Sequence, residues 1–369
     1  MKFTCNKEEL IKGLNIVMRA AYGKYQKSIL ECIHIQTEEQ SLVLDAFDMT
    51  TAIKTSVYAE IEEAGETAIP ARVLYDIINK FPAGEIRFAR KEAAIQIQGA
   101  NSSAMLSEMD AQQFPPFPVY EGEADHEVTL ERQLFKEMIE KTAFSAYVGE
   151  DRPIFTGLLF ETDPEEETLS VVAIDGIRMA KKTAKVASKS KLKAIIPAKM
   201  LKEASRILGD GEEEVCLRFG EQACFLKSGN VEIFTRLLDG EYINYQAIIP
   251  AQYKTRVRIN AGLFERSLEL MMVLAREDSS NLIRMSIEDS CIDMQSVSEY
   301  GTAQDKVPAE MQGEFLKIAF NAKYLLDVFK VIDEEEVYLE FTGRLQACVV
   351  RPVEGDAFLY LVVPVNIAE

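Results

Sequence analysis

The chain has 369 residues, 60 acidic against 41 basic, for a formal net charge of −19 and a pI near 4.8. Hydrophobic residues make up 47% and charged residues 27%, an ordinary globular balance that at roughly 100–200 residues per domain suggests two or three domains. No apolar run reaches the roughly 18 residues of a membrane span, and the opening MKFTCNKEEL turns polar too early for a secretory signal. A soluble protein with no membrane partner is expected. The acidity argues against a phosphate-backbone ligand, but a local basic patch is compatible with an acidic total.

Six cysteines (Cys5, Cys32, Cys216, Cys224, Cys291, Cys348) form no CxxC pair, and the only histidines are His34 and His126. Reduced thiols, no metal site, no cofactor and little general-base chemistry are the expectation.

In chain order, CNKEELIKGL from Cys5 reads as a short strand, a turn and a helix. Leu10, Leu14, Val17 and Ala21 fall on one helix face, with Lys12 and Arg19 on another. LVLDAF reads as a strand, IPARVLYDIINKF from Ile69 as a strand end and helix, and EIRF from Glu85 and IQIQG as strands. FPPFPVYEGEADHE from Phe114 reads as an extended linker. LERQLFKEMI from Leu130 restarts the series, followed by GLLFE, LSVVAID and a turn at Asp175-Gly176. Then come IPAKMLKEASRIL from Ile196, EVCLRF from Glu214, VEIFTRLL, a turn at Asp239-Gly240 and a linker around Pro250. INAGLFERSL from Ile259 opens a third round with RMSIED, CIDMQSV, FNAKYLLDVFKVI from Phe320, EVYLEF from Glu336 and LYLVVPV.

The rounds align. Ala71, Ala198 and Ala322 are equivalent, as are Arg72, Lys199 and Lys323, then Leu74, Leu201 and Leu325, then the acids Asp76, Glu203 and Asp327, at offsets of 127 and 124 residues. The reading is α+β, three repeated domains (1–125, 126–250, 251–369), each with two helices packed on antiparallel sheets. One basic position recurs in all three copies, and Lys199, Lys202 and Arg206 form a stripe at i, i+3 and i+7. An enzymatic alternative would use Asp45, Asp48, Asp175 and Asp239 as a carboxylate metal site. Those aspartates sit at turn positions, and no Gly-rich phosphate loop, HExxH or GxSxG accompanies them.

The segments FTCNKEELIKGL, RPIFTGLLFE from Arg152, AIDGIRM from Ala173, IIPAKMLKE from Ile195, TRLLDGEYINY from Thr235, FNAKYLLDV and LVVPVNI resemble, in order and spacing, the bacterial DNA polymerase III beta subunits, the replicative sliding clamps. The resemblance spans essentially the whole chain. It implies three clamp domains per chain and a ring-shaped head-to-tail homodimer, with helices lining the hole and sheets forming the outer wall. The implied function is non-catalytic: the ring encircles double-stranded DNA without reading sequence and tethers the replicative polymerase alpha subunit. Further implied partners are the clamp loader and other polymerases and repair factors bearing clamp-binding peptides. The implied location is cytoplasmic, associated with the nucleoid.

Together with the basic helix positions, the resemblance nominates Lys12, Arg19, Lys24, Arg72, Arg152, Lys199, Lys202, Arg206 and Lys323 for DNA, with Lys24 and Arg152 on loops 21–25 and 149–152. It also implies a hydrophobic pocket for partner peptides. The lining would be Phe155, Ile174, Gly176, Ile177, Arg178, Met179, Ile243, Ala247, Ile248, Asn321, Tyr324, Leu345, Ala347, Leu361, Val362, Val363, Pro364 and Val365. Ile174, Ile177 and Met179 stand where many relatives have Thr, His and Leu, and Ile243 where proline is common. The pocket is thereby more aliphatic, and a shifted peptide preference is expected. A protein-binding paralogue without processivity would show a degraded basic face, whereas the basic stripe persists in this chain.

Overall fold

The computed structural model describes residues 1–21, 28–120, 126–277 and 280–366. Alternating burial along successive strands, such as iBiBe in the first and BiBiBi in the strand at Thr255–Asn260, leaves each sheet one face for helices to cover. The same run of eight strands and two α-helices occurs three times. The first is β1 (Lys2–Asn6), α1 (Lys7–Val17), β2 (Cys32–Glu38), β3 (Ser41–Phe47), β4 (Thr51–Glu63), β5 (Glu66–Pro70), α2 (Ala71–Lys80), β6 (Glu85–Lys91), β7 (Ala94–Gln98) and β8 (Ser103–Ser107). The second is β9 (Glu127–Glu131), α3 (Arg132–Ala143), β10 (Gly157–Asp163), β11 (Thr168–Ile174), β12 (Arg178–Lys185), β13 (Lys193–Pro197), α4 (Ala198–Leu208), β14 (Glu214–Phe219), β15 (Ala223–Ser228) and β16 (Val231–Arg236). The third is β17 (Thr255–Asn260), α5 (Ala261–Ala275), β18 (Leu282–Ile287), β19 (Cys291–Ser298), β20 (Gly301–Gly313), β21 (Leu316–Asn321), α6 (Ala322–Phe329), β22 (Glu336–Phe341), β23 (Cys348–Pro352) and β24 (Phe358–Val362).

Local chemistry sets the helix ends. Asn6, Asn260 and Asn321 cap α1, α5 and α6, each side-chain oxygen accepting backbone N–H bonds from the first turn. Gly13 lets α1 lie close against its sheet, since a Cβ there would meet Val57 Cγ2 at 2.6 Å and Leu44 Cδ1 at 2.8 Å. The α-helix stops at Val17 and tightens into a 3-10 turn at Met18–Ala20. Lys12 and Arg19 therefore do not share one continuous α-helix, as the periodicity had implied.

All the named strand pairs are antiparallel, and they form two 12-stranded sheets. Each sheet joins strands of two successive repeats. β4 pairs with β16 (Thr51 opposite Thr235), and β12 pairs with β24 (Arg178 opposite Val362). In both cases the fourth strand of one repeat takes the eighth strand of the next. The chain accordingly separates into two compact units, Met1–Phe135 with Glu203–Leu237 and Lys136–Lys202 with Leu238–Glu369. Continuous sheets across the repeat boundaries explain why two units arise from three repeats.

In the first unit a cluster of Ile29, Leu30, Cys32, Phe47, Ala52, Ala68, Phe114 and Phe234 lies where β2 to β5 meet β16. In the second, one core gathers around Phe264, Leu268, Phe320 and Phe329, while another contains Leu159, Val172, Ile174, Met179, Ile195, Tyr245, Val349, Leu359 and Leu361. At about 1.5–3 kcal/mol per fully buried large apolar side chain, these clusters are the main source of stability.

Candidate functional site

The cluster that contains Leu159, Ile174, Met179 and Leu361 sits in the second unit where β12 meets β24. The turn before β12 is built by Asp175, whose carboxylate accepts the N–H groups of Ile177 (2.8 Å) and Arg178 (2.9 Å). Gly176 has φ +96°, a left-handed conformation that costs a side chain free energy. Arg178 is clasped by the same residue: its Nε donates to Asp175 Oδ2 at 2.9 Å, Nη1 to Asp327 Oδ2 at 2.6 Å and Nη2 to the Phe144 carbonyl at 2.9 Å. Its guanidinium also lies 4.9 Å from the Tyr324 ring centroid and 5.5 Å from that of Phe144. Arg178 thus ties the turn to α6.

Around this turn, buried and exposed apolar groups separate clearly. Ile174, Met179 and Leu361 are at most 5% exposed and form the floor with Leu159, while Phe155 and Ala347 pack half-buried against it. Phe155 meets Tyr242 edge-on at 5.9 Å. Burial pushes the Tyr242 hydroxyl above its ordinary pKa, and the Asp175 charge adds to the effect, so Tyr242 is a neutral phenol. Ile177, Ile243, Ile248, Leu345 and Val363 are 40–51% exposed, and Ala247 is exposed as well. The Val363 N–H donates to the Ile177 carbonyl at 2.9 Å and that of Val365 to the Ala319 carbonyl at 2.8 Å, which holds residues 363–365 against the turn and β21. Asn321 is occupied as the α6 cap, its side chain accepting from Lys323 N–H at 3.0 Å.

Two sequence-nominated residues stand apart. Val362 is fully buried in the other core of this unit, because alternation along β24 turns it to the opposite face from Leu361 and Val363. Met179 is fully buried, so its contribution is to the floor and not to an outward-facing surface. Sequence patterning missed Phe144, Tyr242 and Asp327 as members of the site. The available signal was the recurring acid Asp76/Glu203/Asp327, which takes a different partner each time: Arg72 at 3.8 Å, Arg19 and Arg206 at 3.2 and 2.8 Å, and Arg178 at 2.6 Å.

The nominated cations are on helices and one loop. Arg72, Lys199 and Lys323 are all exposed and are each the second residue of their helix, α2, α4 and α6. A positive charge in the first turn opposes the helix dipole. Helix stability therefore does not explain why the position is basic three times. Lys202 is half-buried and Arg206 exposed on α4, and Lys12 is exposed on α1 with Glu9 at 2.7 Å. Lys24 lies outside the described residues. Arg152 does not lie on a helix face; its Nη1 comes within 2.9 Å of where a Cβ on Gly176 would be, and its guanidinium is 5.7 Å from the Tyr147 ring centroid.

The aspartates of the enzymatic alternative do not converge. Asp45 contacts His34 at 2.9 Å, Asp48 accepts from Thr50 and Thr51, Asp175 caps its turn, and Asp239 is exposed. Among the described residues no group of three or more His, Cys, Asp or Glu is placed to hold a metal ion. None of the six cysteines is in a disulfide, and all lie in strands; burial pushes Cys5 up to about 12 and Cys32, with help from Glu31, up to about 11, so both stay as thiols.

Family models for the DNA polymerase III beta subunit match the N-terminal domain at residues 1–118, the central domain at 129–244 and the C-terminal domain at 246–366. The beta sliding clamp of Staphylococcus epidermidis is 30% identical over 378 aligned residues, covering 99% of each chain. Among solved structures, the DNA polymerase sliding clamp from Bacillus subtilis superposes with a TM-score of 0.95 at 28% identity, and the DNA polymerase III beta subunit from Thermotoga maritima with 0.91 at 27%, both covering 100% of each chain. End-to-end matches of this kind, on a strand–helix unit that recurs three times, mean that the chain belongs to the bacterial DNA polymerase III beta subunits, the beta sliding clamps.

Proposed function

We propose that two copies of the chain close head to tail into a ring around duplex DNA and that partners dock by short peptides in the pocket at the β12–β24 seam. Membership of the family makes the chain a non-catalytic processivity factor. The observation that carries the ring reading is the pairing rule. A fourth strand takes the eighth strand of the following repeat at β4–β16 and at β12–β24. Within the chain, β20 and β8 are the fourth and eighth strands left over, and β8 ends its sheet. Applying the rule between copies pairs residues 301–305 with 107–103, and doing so twice closes a heterologous dimer with no open end. Repeats bounded at 1–125, 126–250 and 251–369 are the units of that ring.

Arg72, Lys199, Lys202, Arg206 and Lys323, with Lys12, Arg19 and Lys24, supply phosphate attraction without base reading, which suits sliding. Arg152 fits better as a group at the edge of the peptide pocket, given its proximity to Gly176. The pocket has an apolar floor, an exposed aliphatic rim and an ordered strand end at residues 363–365, the features that hold a peptide by side-chain insertion and backbone bonds. The polymerase alpha subunit, the clamp loader and other polymerases and repair factors would share it, in the cytoplasm at the nucleoid.

The test is fluorescence-polarisation binding of a labelled peptide with a glutamine followed by a leucine-phenylalanine end. Saturable binding that Ile177→Glu or Leu345→Asp weakens at least tenfold supports the pocket. Binding untouched by both variants puts the peptide elsewhere.

A further inference from the structure

Across the first unit, directly opposed residues on neighbouring strands form one row. His34 on β2 faces Asp45 on β3, Asp45 faces Lys54 on β4, Lys54 faces Glu232 on β16, and Glu232 faces Lys227 on β15. Directly opposed residues share a sheet face, so charges of alternating sign cross five strands, including the β4–β16 seam. The contacts are short: His34 Nδ1 to Asp45 at 2.9 Å, Lys54 to Glu232 at 2.8 Å and Lys227 to Glu232 at 3.0 Å.

The segment that leaves the first repeat runs over this row. It is fixed at its start by the Met109 N–H donating to the Ala68 carbonyl at 2.8 Å. Aromatic residues then recur every third position, as they do along one edge of an extended proline-rich strand. Each covers a basic side chain: Phe114 stacks on the His34 ring (5.2 Å, 18°), the Lys54 ammonium lies 4.5 Å from the Phe117 ring centroid, and the Arg218 guanidinium lies 5.9 Å from that of Tyr120. A cavity of about 350 Å³ remains between segment and strands, lined by Phe117, Tyr120 and Phe225 among others. The strap is thus anchored where Phe114 enters the core with Met109 and Phe117 packed beside it, and is more loosely packed toward Tyr120.

His34 is the one member of the row whose charge changes near neutral pH. Its Nδ1 faces Asp45, and its Nε2 faces Glu66 on β5 at 3.3 Å. A neutral imidazole has one N–H and would turn a lone pair toward one carboxylate; only the imidazolium donates to both. We propose that His34 is carried as imidazolium and that its deprotonation loosens the strap at residues 109–120 from the seam between the first and second repeats. Burial works against the charged form, but Asp45 and Glu66 outweigh it and raise the histidine above its ordinary value. The cations on the packed elements are engaged elsewhere: Arg90 pairs with Glu108 and donates to the Glu66 carbonyl, and Lys54 is matched by Glu232. The fastening is therefore complete below about pH 6.5 and is lost as pH rises through the folded-state value.

The experiment is a titration of the full-length protein labelled with 15N-histidine, with His126→Gln assigning the only other histidine. At pH 6.5 both ring nitrogens of His34 should carry protons, with a midpoint above the ordinary imidazole value. In parallel, hydrogen-exchange protection of the Met109 and Phe114 amides should fall through the same midpoint, by tenfold for each unit separating the fastened and released histidine. His34→Gln should abolish that inflection, and Asp45→Asn should lower the midpoint. A single-tautomer neutral ring at pH 6.5, or strap protection without an inflection at the His34 midpoint, overturns the proposal. The wild-type titration decides the matter even where a variant fails to fold.

Discussion

Arg178 is ordered by contacts on every side. Its guanidinium meets two carboxylates, a carbonyl and two rings, and its side chain is only 10% exposed. Removing one partner of a buried pair leaves the others uncompensated. Arg178→Ala should therefore lower unfolding stability by about 3–5 kcal/mol, read as a reduced urea midpoint. Ile177→Glu, at a residue 41% exposed, should leave that midpoint within experimental scatter while abolishing peptide binding. Equal destabilisation by both variants would show that the rim is structural. Met179→Lys cannot separate the two effects, because it forces a charge into a fully buried position. Which of the nominated apolar residues face outward was not readable from the motif AIDGIRM, because burial depends on the strands that arrive from residues 348–363.

Helices and strands carry the next set of expectations. On α4, replacing Lys199, Lys202 and Arg206 together by Glu should shorten processive synthesis. It should also reduce the slope of log DNA affinity against log salt by about 0.9 for each phosphate that is no longer neutralised. An unchanged slope would remove these residues from the DNA-facing set. At the β8 edge, Ala104→Pro and Met105→Pro each delete an N–H, and adjacent residues present theirs to opposite sides. One of the two should convert the dimer to monomer in sedimentation without loss of secondary structure. A second pH effect belongs to α3, where Glu137 contacts Lys182 at 2.8 Å and Lys141 at 3.4 Å. Burial alone would raise its carboxyl, but the two lysines outweigh burial and hold it below the usual range. That contribution is present above the ordinary carboxylate value and disappears as pH falls through the folded one, so Glu137→Gln should flatten the acid side of the stability curve. Helix and strand positions were legible from periodicity and from the threefold alignment of residues such as Leu74, Leu201 and Leu325. The 3-10 ending of α1 was not, since hydrophobic spacing continues through Ala21 while the backbone changes its hydrogen bonding.

For the molecule as a whole, repetition was visible in the sequence and continuity was not. A repeat near 125 residues suggests independent domains, yet the sheets run from β4 into β16 and from β12 into β24. Strand pairing between distant segments leaves no local pattern in either strand. The same continuity underlies the proposed ring, because β20 and β8 are the fourth and eighth strands that lack this partner, and the rule would join them between two copies. The direct test of encirclement is retention on DNA of defined topology. The chain, loaded by its clamp loader onto a nicked circular plasmid, should stay bound in salt that strips phosphate-bound proteins, and should be released when the plasmid is cut once to a linear form. Retention that is the same on circular and linear DNA, or dissociation from both in moderate salt, would contradict a closed ring and leave only surface attraction.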